Sequence, residues 1–333
     1  MLNIFWFVLI AILFIGYFIL EGFDYGVGML YPVVGQSDHE RRIAVNTIGP
    51  IWSGNEVWLI TAGGALFAAF PKWYATLFSG FYVALVLMLV GLIFRGVAIE
   101  YRSKITTARW HKIWDILLRL GSFLPALLWG VAFANLIKGV PINQAMNDVG
   151  GFWSLISPYT VLGGLLTLLL FLAQGASFLT LKTTGDIRER SLKLAKRLLP
   201  VALVVAVGFG VWTATLPTVN HQGLYWLCIA LGWVSLLGAR MIIAKREKWA
   251  FLLQSLMIAL MTAGFFLALF PRVMISTIAA RYDLTIYSAA SNPYTLHVMT
   301  IVALTMVPIV LAYQIWTYWI FRKRLTLQDH LEY

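Results

Sequence analysis

Residues 73–101 read WYATLFSGFYVALVLMLVGLIFRGVAIEY, and this stretch decides the fold. From Trp73 to Phe94 it runs for 22 residues without a charge, enough to cross about 30 Å of hydrocarbon as a helix. Arg95 then stands inside the apolar run, about two turns short of the polar boundary marked by Tyr101, Arg102 and Lys104. A fixed cation at that depth costs several kcal/mol unless an acid meets it. Glu100 follows on the same helix. Other acids stand at the end of the first apolar stretch, Glu21 and Asp24, and in Trp52-Ser53-Gly54-Asn55-Glu56-Val57-Trp58. The expected partner of Arg95 is Asp24 or Glu100.

Composition agrees with a membrane setting. The 333-residue chain is 60% hydrophobic and 12% charged, with mean hydropathy +0.82. Soluble domains hold about 45–50% apolar and about 25% charged residues. The net charge of +11 comes from short basic segments between apolar runs, the pattern of membrane loops, so no nucleic-acid partner is expected. One cysteine, Cys228, excludes an internal disulfide and any Cys-rich metal site. Met1 to Leu20 carries no charge and no basic leading region, and reads as the first span, not a removable signal.

Apolar runs of spanning length lie at 3–33, 48–70, 73–100, 116–137, 153–181, 197–216, 224–243, 249–271 and 294–321. The chain therefore reads as an all-α integral membrane protein of nine transmembrane helices. Placing the N-terminus outside puts 20 Lys and Arg in the cytoplasmic connections, from Arg41 and Arg42 to Arg322, Lys323 and Arg324 at the cytoplasmic C-terminus. The opposite connections hold only Lys72, Lys138, Arg272 and Arg281, and Arg95 completes the total of 25. A faint repeat sets Ile19-Leu20-Glu21-Gly22-Phe23-Asp24 beside Leu172-Ala173-Gln174-Gly175-Ala176-Ser177. It suggests a single polytopic domain (1–333) with a four-helix unit at 1–138, a second at 150–272 and a ninth helix at 294–321.

Glu21 and Asp24, three apart, share one helix face. They are either a protonatable pair facing the bundle or acids in headgroup water where the span ends. In the second span Asn46, Thr47, Trp52, Ser53, Asn55, Glu56 and Thr61 are too polar to face lipid and need protein, water or a cofactor. Among the histidines, His39, His111, His221 and His330 fall in loops or the tail and His297 opens the last span, so no pair suited to haem ligation is expected. On residues alone, an independent proton- or cation-coupled transporter fits as well.

The stretches Leu20 to Met29, Arg41-Arg42 with Asn46-Thr47-Ile48-Gly49-Pro50, Trp52 to Leu59, Thr61 to Ala65 with Phe67-Ala68-Ala69-Phe70-Pro71, and Phe94 to Lys104 together resemble subunit II of the cytochrome bd-type quinol oxidases. The resemblance implies a multi-pass subunit of a prokaryotic plasma-membrane complex that oxidises quinol and reduces dioxygen to water. It implies two four-helix bundles plus one helix, with no haem held by axial ligands of this chain. Haems b and d are expected in the partner, a haem-bearing subunit I, beside membrane lipids and a small single-span accessory subunit. It also implies a cytoplasmic proton route through Asp24, Arg95, Glu100 and the Trp52-Ser53 step. The family has Asp after this tryptophan where this chain has Ser53, so the step lacks its carboxylate. Glu56, one turn on, can present one. With Glu21 and Asn55 beside them, Glu21, Asp24, Trp52, Ser53, Asn55, Glu56, Arg95 and Glu100 form the candidate proton pathway.

The basic asymmetry predicts that a cysteine placed between Lys182 and Arg197 is protected from an impermeant thiol reagent in intact cells, whereas one near His221 reacts. The reverse labelling pattern would refute the N-out orientation.

Overall fold

The computed structural model describes residues 1–329, Leu331 and Tyr333. Helix α1 (Leu2–Val34) is 33 residues long, about 50 Å, and does not stop at its acids. Glu21 and Asp24 lie about three turns before its end, and both are fully buried. Protein, not water, encloses both. After a turn, the short α2 (Asp38–Asn46) is capped by Ser37, whose hydroxyl accepts from the Glu40 N–H while Glu40 answers in a capping box.

Helix α3 (Trp52–Ala69) follows, then α4 (Pro71–Gly80) and α5 (Tyr82–Tyr101). The single run expected over 73–100 is thus two helices. Phe81 leaves helical geometry at ψ 15°, just after Ser79-Gly80, where intrinsic helix preference is weakest. Pro71 opens α4 at a position that needs no N–H. The chain continues through α6 (Ala108–Lys138), α7 (Pro158–Lys182), α8 (Gly185–Ala214), α9 (Gln222–Ile242) and α10 (Glu247–Leu269). A small antiparallel pair, β1 (Arg272–Met274) and β2 (Leu284–Thr285), precedes α11 (Pro293–Ile320).

Among the described residues eight helices, α1 and α5 to α11, are long and apolar enough to cross a membrane. The segment expected as the second span, α3, falls short because its 18 residues include Ser53, Asn55, Glu56, Thr61 and three glycines.

Helix α1 is the axis of the packing and touches α3, α6, α7 and α10. Its aromatic face meets α6 and α10 edge-on, with Phe14 at 5.6 Å from Trp129, Phe18 at 5.3 Å from Phe133 and Phe7 at 5.4 Å from Phe266. Against α7 the backbones themselves meet. A Cβ on Gly26 would lie 2.0 Å from the Phe171 carbonyl oxygen, and one on Gly175 would lie 2.5 Å from the Gly26 Cα. Beside this crossing Gln174 donates to the Ile19 carbonyl at 3.1 Å, and Gln254 of α10 donates to the Ser177 hydroxyl at 2.8 Å.

The connections sort into two ends. At one end Arg41 and Arg102 meet Asp115 at 3.1 and 2.5 Å, Arg102 meets Asp38 at 2.8 Å, and Arg190 meets Glu40 at 2.7 Å. Glu247 joins the same end to Arg188 and, at 2.8 Å, to Arg324. Hence all five segments read as basic connections are tied together. At the other end Val140 donates to the Ile275 carbonyl at 3.0 Å, and Arg272 faces Asp283 at 3.6 Å.

Because no side chain fits between α1 and α7, Gly26→Ala should lower the yield of folded protein in detergent, at a cost of about 1–3 kcal/mol. Gly208→Ala, in open space on α8, should leave yield unchanged. Equal yields would show that the crossing is not a constraint.

Candidate functional site

The site forms where α1, α3 and α5 converge. Arg95 projects from α5 and is fully buried. One guanidinium nitrogen is paired with Glu21 of α1, and another lies 3.5 Å from Glu56 of α3. The Tyr25 ring covers the guanidinium, centroid 4.7 Å away, adding a cation–π contact in a site without bulk water. The expected pairing with Asp24 or Glu100 is corrected by this geometry. Five residues along a helix turn a side chain about 140° away, so Glu100 faces elsewhere, half-exposed and without an ion pair among the described residues. Asp24 lies about 4.5 Å further along α1 than Glu21, at the level of a different partner.

That partner is Asn55. Fully buried itself, it donates to the Asp24 carboxylate at 2.8 Å. Its carbonyl oxygen accepts from the Tyr318 hydroxyl at 2.7 Å and from Gln314 at 3.4 Å, both on α11. Gln314 in turn accepts from Trp58 at 2.8 Å. Consecutive residues of α3 therefore do different work: they point about 100° apart, Asn55 toward Asp24 and α11, Glu56 toward Arg95. Trp52 is half-buried with its ring against Gly96, beside Arg95, 3.0 Å from where a Cβ there would sit. Ser53 is exposed on the wall of a groove of about 460 Å³ between α3 and α11, which Asn55 also lines.

The structure thus brings together Glu21, Asp24, Asn55, Glu56 and Arg95, sets Trp52 and Ser53 at the margin and leaves Glu100 apart. Sequence reading missed Tyr17, Trp129, Gln314 and Tyr318. Tyr17 is hydrogen-bonded to Tyr25 and accepts from the Trp129 indole N–H at 3.1 Å. Gln314 carried a readable signal, being the only amide within α11. Chemically, the cluster holds three carboxyls against one guanidinium. It can therefore take up two protons before its charges balance.

No group of three His, Cys, Asp or Glu is placed to hold a metal among the described residues. His39 and His111 stand at the basic end, His221 immediately precedes α9 at the opposite end, and His297 is exposed near the start of α11. None reaches the bundle interior, so these residues do not fit axial ligation of a haem within it. His330 lies outside the described residues.

Known proteins resemble the chain along its whole length. Residues 2–321 match the family described as cytochrome bd terminal oxidase subunit II. Cytochrome bd ubiquinol oxidase subunit 2 of Bacillus subtilis is 41% identical over 331 residues, covering 98% of each chain. Cytochrome bd-I ubiquinol oxidase subunit 2 of Escherichia coli K12 is 40% identical over 369 residues, covering 98% of this chain and 96% of that one. In fold, the chain is similar to a chain of the bd oxidase from Geobacillus thermodenitrificans, with TM-score 0.76 at 16% identity, covering 96% of this chain and 98% of that one. Eight apolar helices and whole-length bacterial relatives make this a multi-pass protein of the bacterial plasma membrane. Family membership does not favour an independent transporter, and the chain belongs to the cytochrome bd terminal oxidase subunit II family.

Proposed function

We propose that this subunit serves a quinol-oxidising, dioxygen-reducing complex in two ways: it stabilises the haem-bearing subunit I, and it carries protons from the cytoplasm through the Arg95 cluster. Haems b and d are assigned to the partner, and quinol is the substrate of the complex. The observation that carries the reading is one buried guanidinium set among three carboxyls from two neighbouring helices, next to a largely apolar groove into which Ser53, Asn55 and Gln314 bring polar groups. In this reading Glu56, with a side chain 19% exposed, takes the proton at the rim. Arg95 holds the carboxyls in place, and Glu21 and Asp24 pass the charge inward. Ser53 relays as a hydroxyl, able to donate and accept but not to store a proton. Trp52 lines the entry, and Glu100 belongs to the approach.

The proposed topology counts α3 as a ninth span, with the N-terminus outside and the C-terminus cytoplasmic. Two four-helix units, 1–138 and 150–272, stand beside α11. Support comes from the clustering of the basic connections at one end and from the close crossing of α1 and α7. Subunit I is assigned to the face made by α3 and α11. Ser53, Gly54, Val57, Thr61 and Gly64 are exposed there, small enough for close helix approach, and Leu296 is the only buried residue of α11. Lipids and a small single-span accessory subunit complete the proposed surroundings.

Removing one member of a buried ion pair strands the other, typically at about 3–5 kcal/mol. Arg95→Met should therefore reduce assembly of the complex, and Arg95→Met with Glu21→Gln should recover part of it. Pairing would be disproved if the double variant assembled no better than the single. Glu56→Gln should lower oxygen-consumption turnover with the haem spectrum of the complex intact, Ser53→Ala should be milder, and Ser53→Asp should partly rescue Glu56→Gln. Full turnover in Glu56→Gln would place the proton route elsewhere, and joint loss of haem and turnover would make the cluster structural.

A further inference from the structure

Away from the Arg95 cluster, a second concentration of charge stands at the basic end of the bundle. A pocket of about 470 Å³ opens where α7, α8, the α9–α10 turn and the segment after α11 meet. Arg188, Lys245, Arg246, Lys248 and Arg324 line it, with a single acid, Glu247. The Glu247 carboxylate is already held by Arg188 and by Arg324. Lys245, Arg246 and Lys248 therefore remain exposed with no ion pair among the described residues. The first turn of α10 enters the same pocket through Glu247, Lys248 and Trp249, and no side chain caps it. Its free N–H groups and dipole add to the attraction for an anion.

The ligand's source is marked by what lies beside the cations. Trp249 is 60% exposed at the rim, as an indole at a membrane–water boundary would be. From it an exposed apolar lane runs along α10 through Leu252 and Leu256, at helical spacings of three and four. A soluble phosphate would use the cations and leave the lane idle. A phospholipid uses both.

We propose that this pocket binds the phosphodiester headgroup of an acidic membrane phospholipid, with an acyl chain lying along Trp249, Leu252 and Leu256. The headgroup would bridge the α9–α10 turn to the segments around Arg188 and Arg324, where three separate parts of the chain already meet.

The test uses the intact complex purified in mild detergent and read by native mass spectrometry with analysis of extracted lipid. Taking about fivefold for each cation that meets the bound headgroup, Lys245→Gln/Arg246→Gln/Lys248→Gln should cut retained acidic phospholipid on the order of a hundredfold. Lys193→Gln/Lys196→Gln/Arg197→Gln removes equal charge from α8 outside the pocket and should retain lipid as the unaltered complex does. If the pocket triple variant assembles poorly, Lys245→Gln alone should still show the fivefold loss. After delipidation, vesicles of phosphatidylglycerol with phosphatidylcholine should restore the bound lipid, and phosphatidylcholine alone should not. Equal retention in the pocket variant would overturn the site, and equal loss in both triple variants would reduce it to a general surface field. Binding of inorganic phosphate in place of lipid would overturn the lipid assignment.

Discussion

A guanidinium buried in the middle of a membrane protein constrains everything around it. Arg95 cannot shed its charge, so carboxylates must reach it from neighbouring helices. Glu21 and Glu56 do so from α1 and α3, which sets the rotation of both helices about their axes and their height relative to α5. Tyr25 closes the guanidinium from the remaining side and is itself hydrogen-bonded to Tyr17, which receives the Trp129 indole N–H from α6. One cation thus orders four helices. α11 is drawn in by the neighbouring residue of α3, Asn55, through Tyr318 and Gln314.

Between α1, α7 and α10 the buried polar contacts are made without charge. Gln174, Ser177, Gln254 and Ser255 bond to one another and to the Ile19 carbonyl beside the Gly26–Gly175 crossing. Neutral amides and hydroxyls satisfy buried polar groups at far lower desolvation cost than ions do. A bundle of this shape therefore does not need Glu21, Asp24, Glu56 and Arg95 for cohesion. Their convergence from α1, α3 and α5 is the physical ground for a functional reading of that site.

Charge at the basic end has a different logic. Asp115 and Glu247 each meet two arginines from separate connections, Asp38 and Glu40 meet one each, and Arg102, only 1% exposed, is the most enclosed of these arginines. The excess cations, Lys245, Arg246 and Lys248 among them, remain exposed around the rim. The interior cluster has the opposite imbalance, with more carboxyls than cations.

Hydrophobic runs and the placement of Lys and Arg determined the membrane class and most of the helices from sequence alone, because a segment in hydrocarbon must satisfy its own backbone and carry few charges. The polar residues of α3 and the isolated Arg95 also marked the site, since neither tolerates lipid. What the sequence left open was which acid meets Arg95 and what joins α11 to the cluster. Helical periodicity shows that Glu21 and Asp24 share a face, but the choice between them rests on the relative height of α1, α3 and α5, and no one-dimensional pattern encodes height. The depth of the α1–α7 crossing and the turning of Asn55 and Glu56 toward different partners were likewise decided by packing. Each depends on contacts between residues far apart in the chain, and only the assembled bundle brings them together.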